Sequence, residues 1–138
     1  MKIALIGLKD NSINFFPELS KALSKRISGL ELEERFAPFV EDLPIIASET
    51  TQDADFVFVY AMIEDEPMID LIKEKLIDVE LSSKTRILKV LDADEVSGLD
   101  EEEFYEKKEA LVLQYTDLIV RILFNEEEFE PKDKDFAL

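Results

Sequence analysis

Cysteine and histidine are both absent from this 138-residue chain. Without cysteine there is no disulfide framework and no thiolate metal site. Without histidine the chain lacks the commonest general base and the commonest transition-metal ligand. Nucleophilic triads of the Ser-His or Cys-His type are therefore impossible within it. Any catalysis rests on carboxylates, lysines, tyrosines, backbone groups or bound water. Glycine is scarce as well, with three residues in all. Gly7 is the only one in the first predicted strand-to-helix turn. Neither a G-x-G-x-x-G fingerprint nor a P-loop is present, which speaks against a nucleotide-binding Rossmann site.

Positive charge is the next shortage. Sixteen Lys and Arg face 33 Asp and Glu, a formal net charge of -17. The longest basic runs are the pairs Lys25-Arg26 and Lys107-Lys108. Such a surface repels nucleic acid and anionic membranes, so neither is an expected partner. The acidity fits a salt-adapted proteome or a thermophile's charged surface, but a plainly solvated surface is the ordinary reading. No stretch is long and apolar enough to span a bilayer. The apolar run Ile3 to Leu8 is too short for a signal peptide, and the chain reads as cytoplasmic.

What the chain does have is 46% hydrophobic residues, enough for one core at this length. Ile3 to Leu8 reads as a strand buried on both faces. Phe15, Phe16, Leu19, Ala22, Leu23 and Ile27 share a helical face, and Pro17 places the helix start close to itself. Leu30 to Ala37 alternates, with Leu30, Leu32 and Phe36 on one side, as expected of a strand near a sheet edge. Pro38 to Pro44 reads as a loop and Ile45 to Thr51 as a short helix. Asp55 to Met62 is β-branched and aromatic throughout, a third strand. Glu64-Asp65-Glu66-Pro67 opens a helix faced by Met68, Ile69, Ile72, Leu76 and Val79. Arg86 to Leu91 is a fourth strand. Asp100 to Phe124 is a long helix with Glu103 at the capping-box position. That helix is apolar on two sides, which predicts contact with the sheet and with something else, such as another subunit.

Strands alternating with helices imply an α/β fold with a parallel sheet. The expected architecture is a small flavodoxin-like, doubly wound sheet of four strands in the order 2-1-3-4, with helices on both faces. Residues 1–125 form the single domain, and 126–138 an acidic tail, with Phe129 and Phe136 as isolated anchors, that can pack on a neighbouring subunit. Ligand sites of such sheets lie beyond the carboxyl ends of the strands. Those ends carry acids at Asp10, Glu41, Asp42, Glu64, Asp65, Asp92, Asp94 and Glu95. Clustered carboxylates can hold Mg²⁺, but the ordinary reading is that each caps the helix after its strand. Phe15, Phe16, Phe39 and Tyr60 have the chemistry to stack on a heteroaromatic ligand. Core packing explains Phe16 and Tyr60 better, whereas Phe39, in a proline-flanked loop, is harder to bury.

From the Pro38 to Pro44 loop onward the chain resembles the archaeal riboflavin synthases and the related lumazine synthases. The likeness rests on Leu8-Lys9-Asp10-Asn11 after the first strand, Ala37-Pro38-Phe39 and Asp42-Leu43-Pro44 after the second, and Ala61-Met62 after the third. It continues through Lys89-Val90-Leu91-Asp92, Lys107-Lys108, Leu123-Phe124 and Glu128-Phe129. It spans nearly the whole chain as an order of elements. The resemblance implies a flavodoxin-like fold, a homo-oligomer with a pentamer favoured, and a pteridine or flavin ligand held between neighbouring subunits. The implied reactions are condensation to a lumazine or dismutation of two lumazines, with no cofactor. Candidate ligand contacts are Asp10, Asn11 and Asn14, with Pro38, Phe39, Asp42 and Leu43 shaping the loop and Met62 walling the pocket. Asp70 or Met68 falls near the position of a family histidine that this chain lacks, without the same chemistry. Phe39 stands where the family has glycine. Two other functions stay open: a non-catalytic binding or assembly relative, and an unrelated flavodoxin-like domain that binds a metal or a protein.

Overall fold

A computed structural model describes residues 1–9, 13–94 and 96–124. Four strands, β1 (Lys2–Leu8), β2 (Glu31–Ala37), β3 (Phe56–Tyr60) and β4 (Arg86–Val90), form one sheet in the order β2-β1-β3-β4. All three pairings are parallel. The α-helices are α1 (Phe16–Arg26), α2 (Leu43–Thr50), α3 (Glu66–Ser83) and α4 (Glu101–Phe124). The expected doubly wound, flavodoxin-like arrangement is therefore the one found.

Side-chain alternation divides the core in two. Ile3 and Leu5 of β1 join Phe56, Phe58 and Tyr60 of β3 under α1 and α4. Ala4, Ile6 and Leu8 join Val57 and Val59 under α2 and α3. Because both faces are covered, β1 and β3 read as unbroken apolar runs. β2 lies at one edge and is only partly buried except at Ala37, as its alternation predicts.

Helix boundaries follow local chemistry. Pro17 and Pro67 stand in the first turns of α1 and α3, where a missing N–H is harmless. Asp100 and Glu103 form a reciprocal capping box: the Glu103 N–H donates to Asp100 Oδ1 at 2.8 Å, and the Asp100 N–H donates to Glu103 Oε1 at 3.3 Å. The Glu103 N–H bond holds the Asp100 carboxyl below its ordinary value. One boundary differs from expectation. The segment read as a loop to Pro44 instead makes a 3-10 turn over Val40–Asp42, and α2 starts at Leu43. Pro44 sits in that helix's first turn, so here proline marks a helix start rather than a loop. No described helix is long and apolar enough to cross a membrane.

The free edge of β4 is closed by α3. Glu80 accepts a hydrogen bond from the Ile87 N–H at 2.7 Å and pairs with Lys89, whose Nζ also donates to the Ile87 carbonyl at 2.8 Å. Both side chains are largely buried. A charged side chain folded over a strand edge also blocks pairing with foreign strands.

Candidate functional site

Parallel sheets bind ligands where the chain order reverses, here between β1 and β3 at their carboxyl ends. Register places Gly7 between Phe36 of β2 and Tyr60 of β3. All three point to the α1–α4 side, and Phe16 closes the space from above. A Cβ at Gly7 would meet Phe16 Cε2 at 3.2 Å and Phe36 Cδ1 at 3.4 Å. Aromatic rings thus occupy the volume that a longer side chain or a ligand would need. What remains, between Gly7, Ile13, Asn14, Phe16, Phe36 and Tyr60, is a hollow of about 10 Å³. That is about the room for one water.

The plug belongs to a larger aromatic cluster. Phe15 meets Tyr60 edge to face at 4.9 Å and 89°, and stacks on Tyr115 of α4 at 5.9 Å. Phe58 and Tyr115 lie 5.0 Å apart. Such geometries satisfy the ring quadrupoles against one another. Phe15, Phe16 and Tyr60 therefore serve the core and are not free to stack on a ligand. Burial, followed by the nearby Tyr115 and Asp94, pushes the Tyr60 phenol up to about 12. Burial, with Asp92 and Asp94, raises Tyr115, and a hydrogen bond to Glu109 raises exposed Tyr105.

An alkaline titration follows from these shifts. A phenol whose folded value lies above its unfolded value stabilises the fold below the unfolded value and stops doing so as pH rises through the folded one. For Tyr60 that window runs from about pH 10 to about 12. Ultraviolet titration of the three phenols should show every step above the ordinary value, Tyr60 last, with stability falling across the same window. Tyr60→Phe should remove the last step alone. A phenolate step at the ordinary value assigned to Tyr60 would contradict the buried cluster.

The other candidates spread around the rim. Phe39 follows β2 and is 65% exposed, the most outward large apolar side chain of this rim. Its carbonyl accepts from the Asp42 N–H at 3.0 Å, which holds the half-buried Asp42 in the adjoining turn. Leu43 is fully buried beneath α2 and packs in the core, so it shapes the loop from within. Pro38 is exposed next to Phe39. Met62 bridges antiparallel to Asp92, extending β3 and β4 beyond their ends, and packs on the aromatic side. Asn14 is exposed and its Oδ1 accepts from the Phe16 N–H at 3.2 Å, helping to start α1. Asp70 is exposed on α3, more than a turn past its start. Asp10 and Asn11 lie outside the described residues, as does the segment after Phe124.

Two acids of the rim have local partners. Asp65 caps α3 by accepting from the Met68 N–H at 3.2 Å. Asp94 pairs with Lys107 at 3.0 Å. Among the described residues no group of three or more acids is arranged to hold a metal ion.

Sequence patterning did not expose a second feature, a groove of about 670 Å³ between α1 and α4. Two ion pairs cross it, Arg26 to Asp117 at 3.1 Å and Lys108 to Glu18 at 3.7 Å. Its apolar lining comes from Ala22, Val112 and Leu113. Outward apolar residues of α4 lie alongside: Tyr105, Leu113 and Phe124 are 62%, 67% and 55% exposed. The second apolar row of α4, Val112, Ile119 and Leu123, was expected to meet something other than the sheet, but it packs with the same sheet-side core as the first, so it did not mark the groove.

No family model matches this chain, and no curated protein matches it.

Proposed function

We propose that this chain is an assembling, riboflavin-biosynthesis-type protein that binds a pteridine between subunits rather than within one protomer. The exposed Phe39 at the carboxyl end of β2 carries this reading. It offers an aromatic face at the edge where parallel sheets receive ligands, and Asp42 stands beside it to take hydrogen bonds from a polar ring. The crevice inside the protomer is filled by Phe16, Phe36 and Tyr60, so a ring system needs a wall from a neighbouring copy. Dismutation of two lumazines relies on holding them in a reactive orientation, a contribution that needs no histidine. Pentameric assembly and the choice between lumazine formation and dismutation belong to the same proposal.

Phe39→Ala tests it. An exposed side chain contributes little to folding, so stability should stay within about 0.5 kcal/mol. Affinity for dimethyl-ribityllumazine, followed by the ligand's fluorescence, should fall about tenfold, the worth of one stacked ring. Unchanged affinity, or no binding by the parent chain, would remove Phe39 from the site.

A second reading is a non-catalytic assembly protein with the same fold. The outward apolar side of α4 favours it, because Tyr105, Leu113 and Phe124 suit a protein surface better than water. Lumazine turnover by the assembled protein separates the two.

A further inference from the structure

The α1–α4 groove is chemically unlike the rest of the molecule. Lys21, Lys25, Arg26 and Lys108 line it against Glu18, Glu109 and Asp117, an excess of base in a chain of net charge -17. Arg26 and Lys108 are engaged across the groove. Lys21 and Lys25 have no ion-pair partner among the described residues. Between the helices the Thr116 side chain is buried, and its hydroxyl has no hydrogen-bond partner. That oxygen is closed off from solvent, so it is a cost internal to the helix pair and not a contact for a ligand. Unpaired Lys21 and Lys25 beside the apolar Ala22, Val112 and Leu113 suit an acidic segment with apolar anchors.

The sequence contains one. Residues 126–138 carry Glu126, Glu127, Glu128, Glu130, Asp133 and Asp135 against Lys132 and Lys134, with Phe129 and Phe136 spaced along them. α4 ends at Phe124, seven residues past Asp117, which is about 10 Å along the helix axis. The groove from Tyr105 to Asp117 is about 18 Å long on the same measure. Thirteen extended residues reach about 45 Å, so length is no obstacle. Direction favours a neighbour: α4 carries the chain past the end of its own groove, and returning would require doubling back along the helix. A second copy is met by running on. Meeting acids with lysines also lessens the repulsion between two strongly acidic chains.

We propose that the α1–α4 groove is the receptor for residues 126–138 of a second copy of this chain, with Lys21 and Lys25 paired to their glutamates and Phe129 on the Val112–Leu113 floor. This rests on the assembled state proposed above.

Zero-length carbodiimide coupling of the full chain tests it. Equal amounts of ¹⁴N- and ¹⁵N-labelled protein are mixed, coupled, digested and mapped by mass spectrometry. The Lys2–Asp53 and Lys107–Asp94 pairs, at 2.7 and 3.0 Å, are internal controls that must couple. The expected result is mixed-isotope links from Lys21 or Lys25 to Glu126–Glu130, falling about tenfold in a Phe129→Ala/Phe136→Ala chain that has lost its anchors. Links confined to a single isotope would overturn the second-copy assignment. Coupled controls without any such link would overturn the proposal. A native mass of several copies would then leave the assembly reading standing, whereas a single-copy mass would remove both.

Discussion

Phe15→Ala should destabilise the fold by about 3–5 kcal/mol, the usual range for emptying a buried phenylalanine site. Phe15 is fully buried and touches Phe16, Phe58, Tyr60 and Tyr115. It stands outside any helix or strand, one residue before α1, so its burial fixes where the chain leaving β1 meets α4. Little nearby can collapse into the space: the neighbours are rings held by the sheet and by α4. Against a total stability of about 5–15 kcal/mol for a domain, this is about a fifth of the stability or more. Urea unfolding should show the midpoint falling with the slope unchanged, and the melting temperature should drop by roughly 10–20 °C. Phe15→Leu should lose much less, because it keeps most of the volume. A loss under about 1 kcal/mol for Phe15→Ala would mean that the aromatic cluster does not organise this side of the sheet.

Glu80→Ala should cost about 2 kcal/mol. The carboxylate does two things at once, accepting from the Ile87 N–H at 2.7 Å and neutralising Lys89. Its removal uncovers a backbone donor at the sheet edge and leaves an ammonium largely buried without its counter-charge, the costly half of breaking such a pair. Glu80→Gln retains an acceptor for the amide and should cost about half as much. In a Lys89→Met background the stranded charge is gone, so Glu80→Ala should cost only the hydrogen bond, about 1 kcal/mol. Equal costs in both backgrounds would show that Glu80 and Lys89 act independently. Losing the cover also opens the β4 edge, and the variant should aggregate more readily on heating.

These two sites show which parts of the molecule were legible in the sequence. The strands were, because β1 and β3 are covered on both faces and so carry unbroken apolar runs, while β2 at the edge alternates. Helix starts were legible where capping is local, as at Asp100 with Glu103. Pro44 misled because a proline after Pro38 suggests a loop, while the same residue is at home in a first helical turn. The Glu80–Lys89 pair gave no local signal: a lysine in a strand finds its partner on the preceding helix only after the sheet has formed. The same holds for the filled crevice. Gly7, Phe36 and Tyr60 become neighbours through strand register, and no pattern within one segment reports it. Of the rim residues, the exposure of Phe39 followed from its flanking proline, but the burial of Leu43 did not, because it depends on α2 beginning one residue before Pro44.

The groove is instructive in another way. Lys21 and Lys25 look like an ordinary solvated helix face in a one-dimensional reading. They become distinctive only when α1 and α4 lie side by side and collect bases on a molecule otherwise dominated by acids. The second apolar row of α4, Val112, Ile119 and Leu123, packs with the sheet-side core, and the exposed Tyr105, Leu113 and Phe124 lie outside both rows that the sequence marked.

The most direct test is a native mass spectrum of the full chain incubated with dimethyl-ribityllumazine. The account predicts a species of several copies, with a pentamer favoured, carrying the lumazine or the riboflavin formed from it. A single-copy chain with nothing bound would contradict it.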